Sequence, residues 1–164
     1  MMFMGQTTAR LCWSLILIFS IVLPLIIDQV IKHLALKKQL NITILPFFKI
    51  ELAKNYGASF NLLDGKVSLL IIINILAIYF IYRAYLDEKN KKLKPLYLLV
   101  ISGALSNLLD RFFRGYVVDY LSLKIFNYQF PIFNIADTLI VIPAIIIIIF
   151  TIQREVHIYE SRKK

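Results

Sequence analysis

Four long apolar stretches free of charge divide the chain. They are Leu11–Ile27 between Arg10 and Asp28, Val67–Tyr82 between Lys66 and Arg83, Pro95–Leu109 between Lys94 and Asp110, and Thr138–Gln153 between Asp137 and Arg154. A helix rises about 1.5 Å per residue, so each stretch reaches roughly 25 Å or less against a hydrocarbon core of about 30 Å. Each must recruit flanking residues to span. The pattern therefore predicts helices over about 11–30, 66–84, 95–112 and 136–154, with the bounding charges at the membrane edge. A soluble bundle of four buried core helices is the alternative, but the chain has too few polar residues to coat one. Arg10 followed by an apolar run has the look of a signal peptide. No A-x-A-like site follows, and the run leads into Asp28 and Lys32, so it reads as a retained span. Cys12 stands at the start of that run and reads as lipid-facing or packed.

The intervening segments carry a different pattern. Over about 31–65, Ile42, Ile44, Phe48, Ile50 and Leu52 give a partial period-two alternation, which suggests short strands broken at Pro46 and Gly57. Over about 113–135 the chain is rich in aromatics, among them Phe113, Tyr116, Tyr120, Phe126 and Tyr128, as an interfacial belt would be.

Composition sharpens the class. Hydrophobic residues make up 59% of the 164, and the mean hydropathy is +0.73. The usual share in a soluble domain is about 45–50%. This excludes a disordered chain and a disulfide-stapled secreted domain; one Cys forms no internal disulfide. A single integral membrane domain over 1–164 is expected. The net charge of +9 then points to anionic lipid headgroups rather than nucleic acid, since no basic stretch interleaves with aromatics in a polar context. Lys and Arg divide almost evenly between the two sides. The dense 83–94 segment, with Arg83, Lys89, Lys91, Lys92 and Lys94, places that side and both termini in the cytoplasm.

With four spans, Asp28, Asp64, Asp110, Asp119 and Asp137 fall on the opposite side. Carboxylates at membrane depth are costly and usually mark function. An Asp beside a cation also reads as an interfacial ion pair, here with Lys32, Arg111 or Arg114. Asp119 and Asp137 have no sequence-local cation, and the segment between them can fold back to bring them together. Two carboxylates in one low-dielectric site share a proton. One is then a base that activates water and the other an acid that polarises a carbonyl, which is aspartic peptidase chemistry.

Five ordered blocks add a resemblance. They are Asp28-Gln29-x-x-Lys32, Lys54-Asn55-Tyr56-Gly57-Ala58-Ser59-Phe60, Ser102-Gly103-Ala104-Leu105-Ser106-Asn107-Leu108-Leu109-Asp110-Arg111, Gly115-Tyr116-Val117-Val118-Asp119-Tyr120 and Phe130-Pro131-Ile132-Phe133-Asn134-Ile135-Ala136-Asp137-Thr138. Over nearly its whole length the chain resembles the lipoprotein signal peptidases (signal peptidase II), four-span bacterial aspartic peptidases. The resemblance implies a membrane all-α fold: four transmembrane helices with a small β-rich extracytoplasmic segment on the membrane surface. It implies Asp119 and Asp137 as the catalytic pair, and Asn55, Asn107, Arg111 and Asn134 as substrate-binding groups. Arg111 is equally suited to a lipid phosphate. Asp28, Lys32, Gly57, Asp110 and Ala136 are implied as supporting residues. Two glycines of the third block are Ser102 and Ser106 here, for which slightly altered packing and no loss of activity are expected.

The implied activity is endopeptidase cleavage on the amino side of a diacylglyceryl-modified cysteine in lipoprotein precursors. It would act at the outer face of the inner or plasma membrane, with membrane lipids as partners and no nucleic acid, metal or cofactor, by a monomer. Rivals are weaker. Ser59 with Lys54 or Lys32 could form a Ser/Lys pair. Cys12 and His33 fall at opposite ends, as do His33 and His157, and no zinc-ligand spacing occurs. A proton-relay transporter subunit would want mid-helix charges or an inverted repeat. A non-catalytic scaffold leaves the Asp119/Asp137 pair unexplained.

Overall fold

The computed structural model describes residues 15–57 and 63–163. Arg10, Cys12, Ala58, Ser59 and Phe60 lie outside the described residues, and with them the start of the first predicted span and the serine of the Ser/Lys alternative. Four of the described helices are long and apolar enough to cross a membrane: α1 Leu15–Lys38, α2 Val67–Asp87, α3 Lys94–Arg114 and α4 Ile135–Arg162.

The helices run past several of the ends that charge alone predicts. Helix α1 continues through Asp28 and Lys32 because both are fully buried and paired with each other at 2.8 Å. It stops only at Lys38, where Gln39 turns left-handed at φ 45° and its N–H bonds back to Ala35. Helix α4 continues to Arg162 because nothing from Arg154 onward breaks it. Near its start α1 widens into a π turn over Ile18–Val22, and the Ser102 hydroxyl of α3 donates to the Ile21 carbonyl there at 2.9 Å.

The most polar of the four helices is the most enclosed. Helix α3 buries Leu98, Ile101, Ser102, Gly103, Ala104, Ser106, Asn107 and Asp110. Gly103 is required by a close approach: a Cβ there would overlap the Ala136 carbonyl oxygen at the start of α4. Helices α2 and α4 turn Ile72, Phe80, Ile145 and Ile148 outward, faces that hydrocarbon rather than water covers.

The period-two segment forms two strands, as expected, and the segment read as an aromatic belt supplies two more. β1 Asn41–Leu45, β2 Phe48–Asn55, β3 Val117–Ile125 and β4 Tyr128–Gln129 make one antiparallel sheet in that order. Pro46 sits between β1 and β2, where no ladder donor is needed. Helix α3 ends at Gly115, which takes φ 77°, and the turn feeds directly into β3. Val117–Tyr120 are consequently buried where the sheet meets the helix ends. At the other end of the bundle Glu88, also buried, accepts from the Asn90 N–H at 2.7 Å and from Arg154 of α4 at 3.3 Å.

Candidate active site

Asp119 comes from β3 and Asp137 from the first turn of α4. Asn134 joins them. It caps α4, its Oδ1 accepting the Asp137 N–H at 2.8 Å while its own N–H donates to Asp137 Oδ2 at 3.1 Å. Its Nδ2 donates to Asp119 Oδ1 at 2.7 Å and also reaches Asn107 Oδ1 at 3.2 Å. One asparagine thus holds both carboxylates.

Each carboxylate has a further amide donor. Asn55, at the end of β2, donates to Asp119 Oδ2 at 3.0 Å, and Ala53 pairs with Asp119 in the ladder. Asn107 of α3 donates to Asp137 Oδ1 at 2.8 Å. The Asn107 orientation is fixed from behind, because Lys32 donates to its Oδ1 at 2.9 Å. Lys32 is held in turn by Asp28 at 2.8 Å and Asp110 at 2.9 Å, all three fully buried. Charges removed from water in this way persist only when paired and hydrogen-bonded. Asp110 also accepts from Gln29, Arg114 and the Val118 N–H.

Burial pushes the Asp119 carboxyl up from 3.8 to about 7, with the charge of Asp137 adding to the effect. The bonds from Asn55 and Asn134 and the charge of Lys32 oppose it. Burial, followed by the charge of Asp28, likewise raises the Tyr120 phenol, which therefore remains a hydrogen-bond donor.

Both carboxylates open onto a cleft of about 1160 Å³. Its floor is polar, with Asn55, Asn107, Arg111, Asp119 and Asp137; its walls are apolar, with Leu70, Ile73 and Ala77 of α2 facing Ile140 and Val141 of α4. Water on the floor and an apolar chain between the walls are the contents this surface solvates.

The residues singled out in the sequence largely converge. Asp28, Lys32, Asn55, Gly57, Asn107, Asp110, Arg111, Asp119, Asn134, Ala136 and Asp137 form one connected group. Gly57 gives its N–H to Asn55 Oδ1 and its carbonyl to Arg111 Nη2, each at 3.0 Å, and Ala136 gives its N–H to Asp28. Asp64 stays apart, exposed in the turn before α2. Asn134, expected to bind substrate, is fully buried, and its amide is engaged with Asp119, Asn107 and Val118. Among the described residues Arg111 bonds through Nη2 to Gly57, leaving its other N–H donors without a partner there, and it lines the cleft. Lys32, bound by two carboxylates, is not a free amine for the Ser/Lys alternative.

Three participants were missed. Gln29 spans Ser106 and Asp110. Ser106 donates to Asp28 Oδ2 at 2.6 Å, so the serine that replaces a small glycine adds a bond rather than merely altering packing. Tyr120 donates to Asp28 Oδ1 at 2.8 Å. All three stand within the quoted blocks, but nothing in the sequence assigns them a task.

Fold and site together define a multi-pass membrane protein with an amide-held carboxylate pair at one end of its helices. Known proteins share this plan. The family model described as Signal peptidase (SPase) II matches residues 20–153. A lipoprotein signal peptidase of Clostridium tetani is 38% identical over 153 residues, covering 89% of this chain and 97% of that protein. One of Staphylococcus carnosus is 34% identical over 154 residues, covering 90% and 93%. A solved structure described as a bacterial membrane enzyme is 33% identical and superposes with a TM-score of 0.76, covering 85% of this chain and 87% of that one. The chain belongs to the signal peptidase II family, and is thus a peptidase and a multi-pass bacterial membrane protein.

Proposed function

We propose that the chain is an aspartic endopeptidase that removes signal peptides from diacylglyceryl-modified prolipoproteins, with Asp119 and Asp137 as its catalytic pair. The observation that carries this reading is the convergence of two chain-distant carboxylates on Asn134, above a cleft with apolar walls. The relatives' name, lipoprotein signal peptidase, supports the substrate class.

In this reading the pair shares one proton and binds the hydrolytic water. The ionised carboxylate takes a proton from the water as its oxygen attacks the scissile carbonyl carbon. The protonated one donates to the carbonyl oxygen, giving a neutral gem-diol. The carboxyl that took the water proton returns it to the leaving nitrogen while the other carboxylate takes a proton from a diol hydroxyl, so the C–N bond breaks, the signal peptide leaves as the acid and the lipidated cysteine as the new amine. Asn55, Asn107 and Asn134 keep each carboxylate oriented. Arg111 offers its remaining donors to substrate backbone, whose peptide groups need partners wherever the apolar walls exclude water. The lipid-anchored substrate enters laterally, its apolar segment between α2 and α4. The site lies at the outer face of the cell membrane, with both termini in the cytoplasm.

The test is cleavage of a lipidated precursor by Asp119→Asn and Asp137→Asn, each purified at wild-type yield. Neither variant is expected to release signal peptide. Cleavage retained in either would remove the pair from the chemistry and favour a scaffold or relay role.

A further inference from the structure

Helix α4 begins with three N–H groups that no residue of the helix itself can satisfy within its own ladder. Each has a partner. Asp137 N–H goes to Asn134 Oδ1, Ala136 N–H to Asp28 Oδ1 at 3.3 Å, and Ile135 N–H to the Tyr120 hydroxyl oxygen at 3.2 Å. The Tyr120 hydroxyl passes its own proton to the same Asp28 oxygen at 2.8 Å. Asp28 belongs to α1 and stands 108 residues from Ala136 in the chain. Its other oxygen is taken by Ser106 at 2.6 Å and Lys32 at 2.8 Å. Four donors saturate the carboxylate, so it is fixed in place.

We propose that Tyr120 is a positioning residue. Its hydroxyl, seated on Asp28 and accepting from Ile135, ties the start of α4 to α1 and β3, and so fixes Asn134 and Asp137 relative to Asp119. The covalent geometry makes the tie short. Tyr120 follows Asp119 directly in β3, and Ile135 follows Asn134 directly, so the phenol fastens the segment of one carboxylate to the segment of the other. Two backbone bonds run beside it, from the Tyr120 and Leu121 N–H groups to the Phe133 carbonyl at 3.0 and 2.7 Å. The backbone bonds join the strand to the residue before the cap. The phenol alone among these reaches the helix beyond the cap.

The proposal rests on Asp119 and Asp137 being the catalytic pair. Tyr120→Phe keeps the ring, which is 1% exposed, and removes the hydroxyl alone. A displacement of catalytic groups by a fraction of an ångström acts on the chemical step more than on substrate capture. The expected result with a lipidated precursor peptide is a fall in kcat of about tenfold, the weight of roughly one buried hydrogen bond, with KM held within about twofold. The melting temperature in detergent is measured on the same preparation. Faster hydrogen exchange in the 133–138 segment of the variant is expected alongside.

Wild-type kcat in Tyr120→Phe would overturn the proposal. So would a loss of activity that follows only the loss of folded protein, since that is packing and not positioning. The wild-type exchange rate at Ile135 is a second measurement that needs no variant: a protected amide supports the tie, and an unprotected one overturns it. Asp119→Asn and Asp137→Asn run in parallel. If either still cleaves, the pair itself falls; if both are inactive while Tyr120→Phe is unimpaired, the positioning role alone falls.

Discussion

Asp119 is held in a place that resists its charge. A carboxyl with a higher pKa folded than unfolded favours the fold wherever it is protonated. For Asp119 that contribution is complete below about 3.8 and is lost as the pH rises to about 7. Asp119→Asn removes the ionisation and keeps the shape. The variant is therefore expected to be more stable than wild type at pH 7.5 by an amount on the order of a few kcal/mol, and so to melt higher, with the difference vanishing near pH 4. Melting curves across that range check it; equal melting temperatures at both ends would mean that Asp119 ionises freely. The same residue explains what the sequence shows at this scale and what it hides. Asp119 and Asp137 stand out because no cation neighbours them, and the amides that hold them sit within recognisable blocks. Tyr120 closes one of those blocks, but its task stays hidden, because one more aromatic in an aromatic segment reads as part of an interfacial belt. Its partner lies 92 residues away.

At the scale of elements, α3 governs the site because it is packed against α1, α2 and α4 and carries Asn107, Asp110 and Arg111 on its last turns. Its approach to α4 is set by Gly103. Gly103→Ala pushes the Ala136 carbonyl, and Ala136 precedes Asp137. Overpacking of this kind is expected to destabilise by about 1–3 kcal/mol. It is also expected to lower kcat in the folded fraction; a melt combined with active-site titration separates the two. A variant matching wild type in both would show that α4 relaxes without moving its first turn. The helices were legible from apolar length, while their ends were not. Asp28 and Lys32 look like the end of a span because isolated charges leave the bilayer. Inside α1 they are paired and enclosed by α3, a condition that only the tertiary structure supplies. Strands β1 and β2 were legible from their partial alternation, although β1 is exposed along its whole length; β3 and β4 fall in the aromatic segment and were not. The pairing of β2 with β3, which brings Asn55 to Asp119, joins segments on either side of two helices and left no local pattern.

At the scale of the whole molecule, the two ends of the bundle are chemically unlike. One end holds the sheet and the acidic pair. The other holds the short 88–93 connection, the Glu88–Arg154 ion pair and the dense basic residues Lys89, Lys91 and Lys92. Dense Lys and Arg beside spans are generally retained on the cytoplasmic side, and on that rule the proposed orientation turns the acidic end outward. Lys49 on β2 and Lys89 beyond α2 are exposed at these opposite ends, so each reports on its own side. In a chain with Cys12 replaced by Ser, Lys49→Cys is expected to react with a membrane-impermeant thiol reagent in intact cells. Lys89→Cys is expected to react only after the membrane is opened. The reverse pattern would turn the acidic pair toward the cytoplasm. The consequence reaches the chemistry. In the proposed reading, the cleft with apolar walls and an acidic floor takes an acylated chain from one leaflet and water from the adjoining surface. Labelling that places Lys49 outside sets both supplies at the outer leaflet, where the new amine of the lipidated product would be left facing outward.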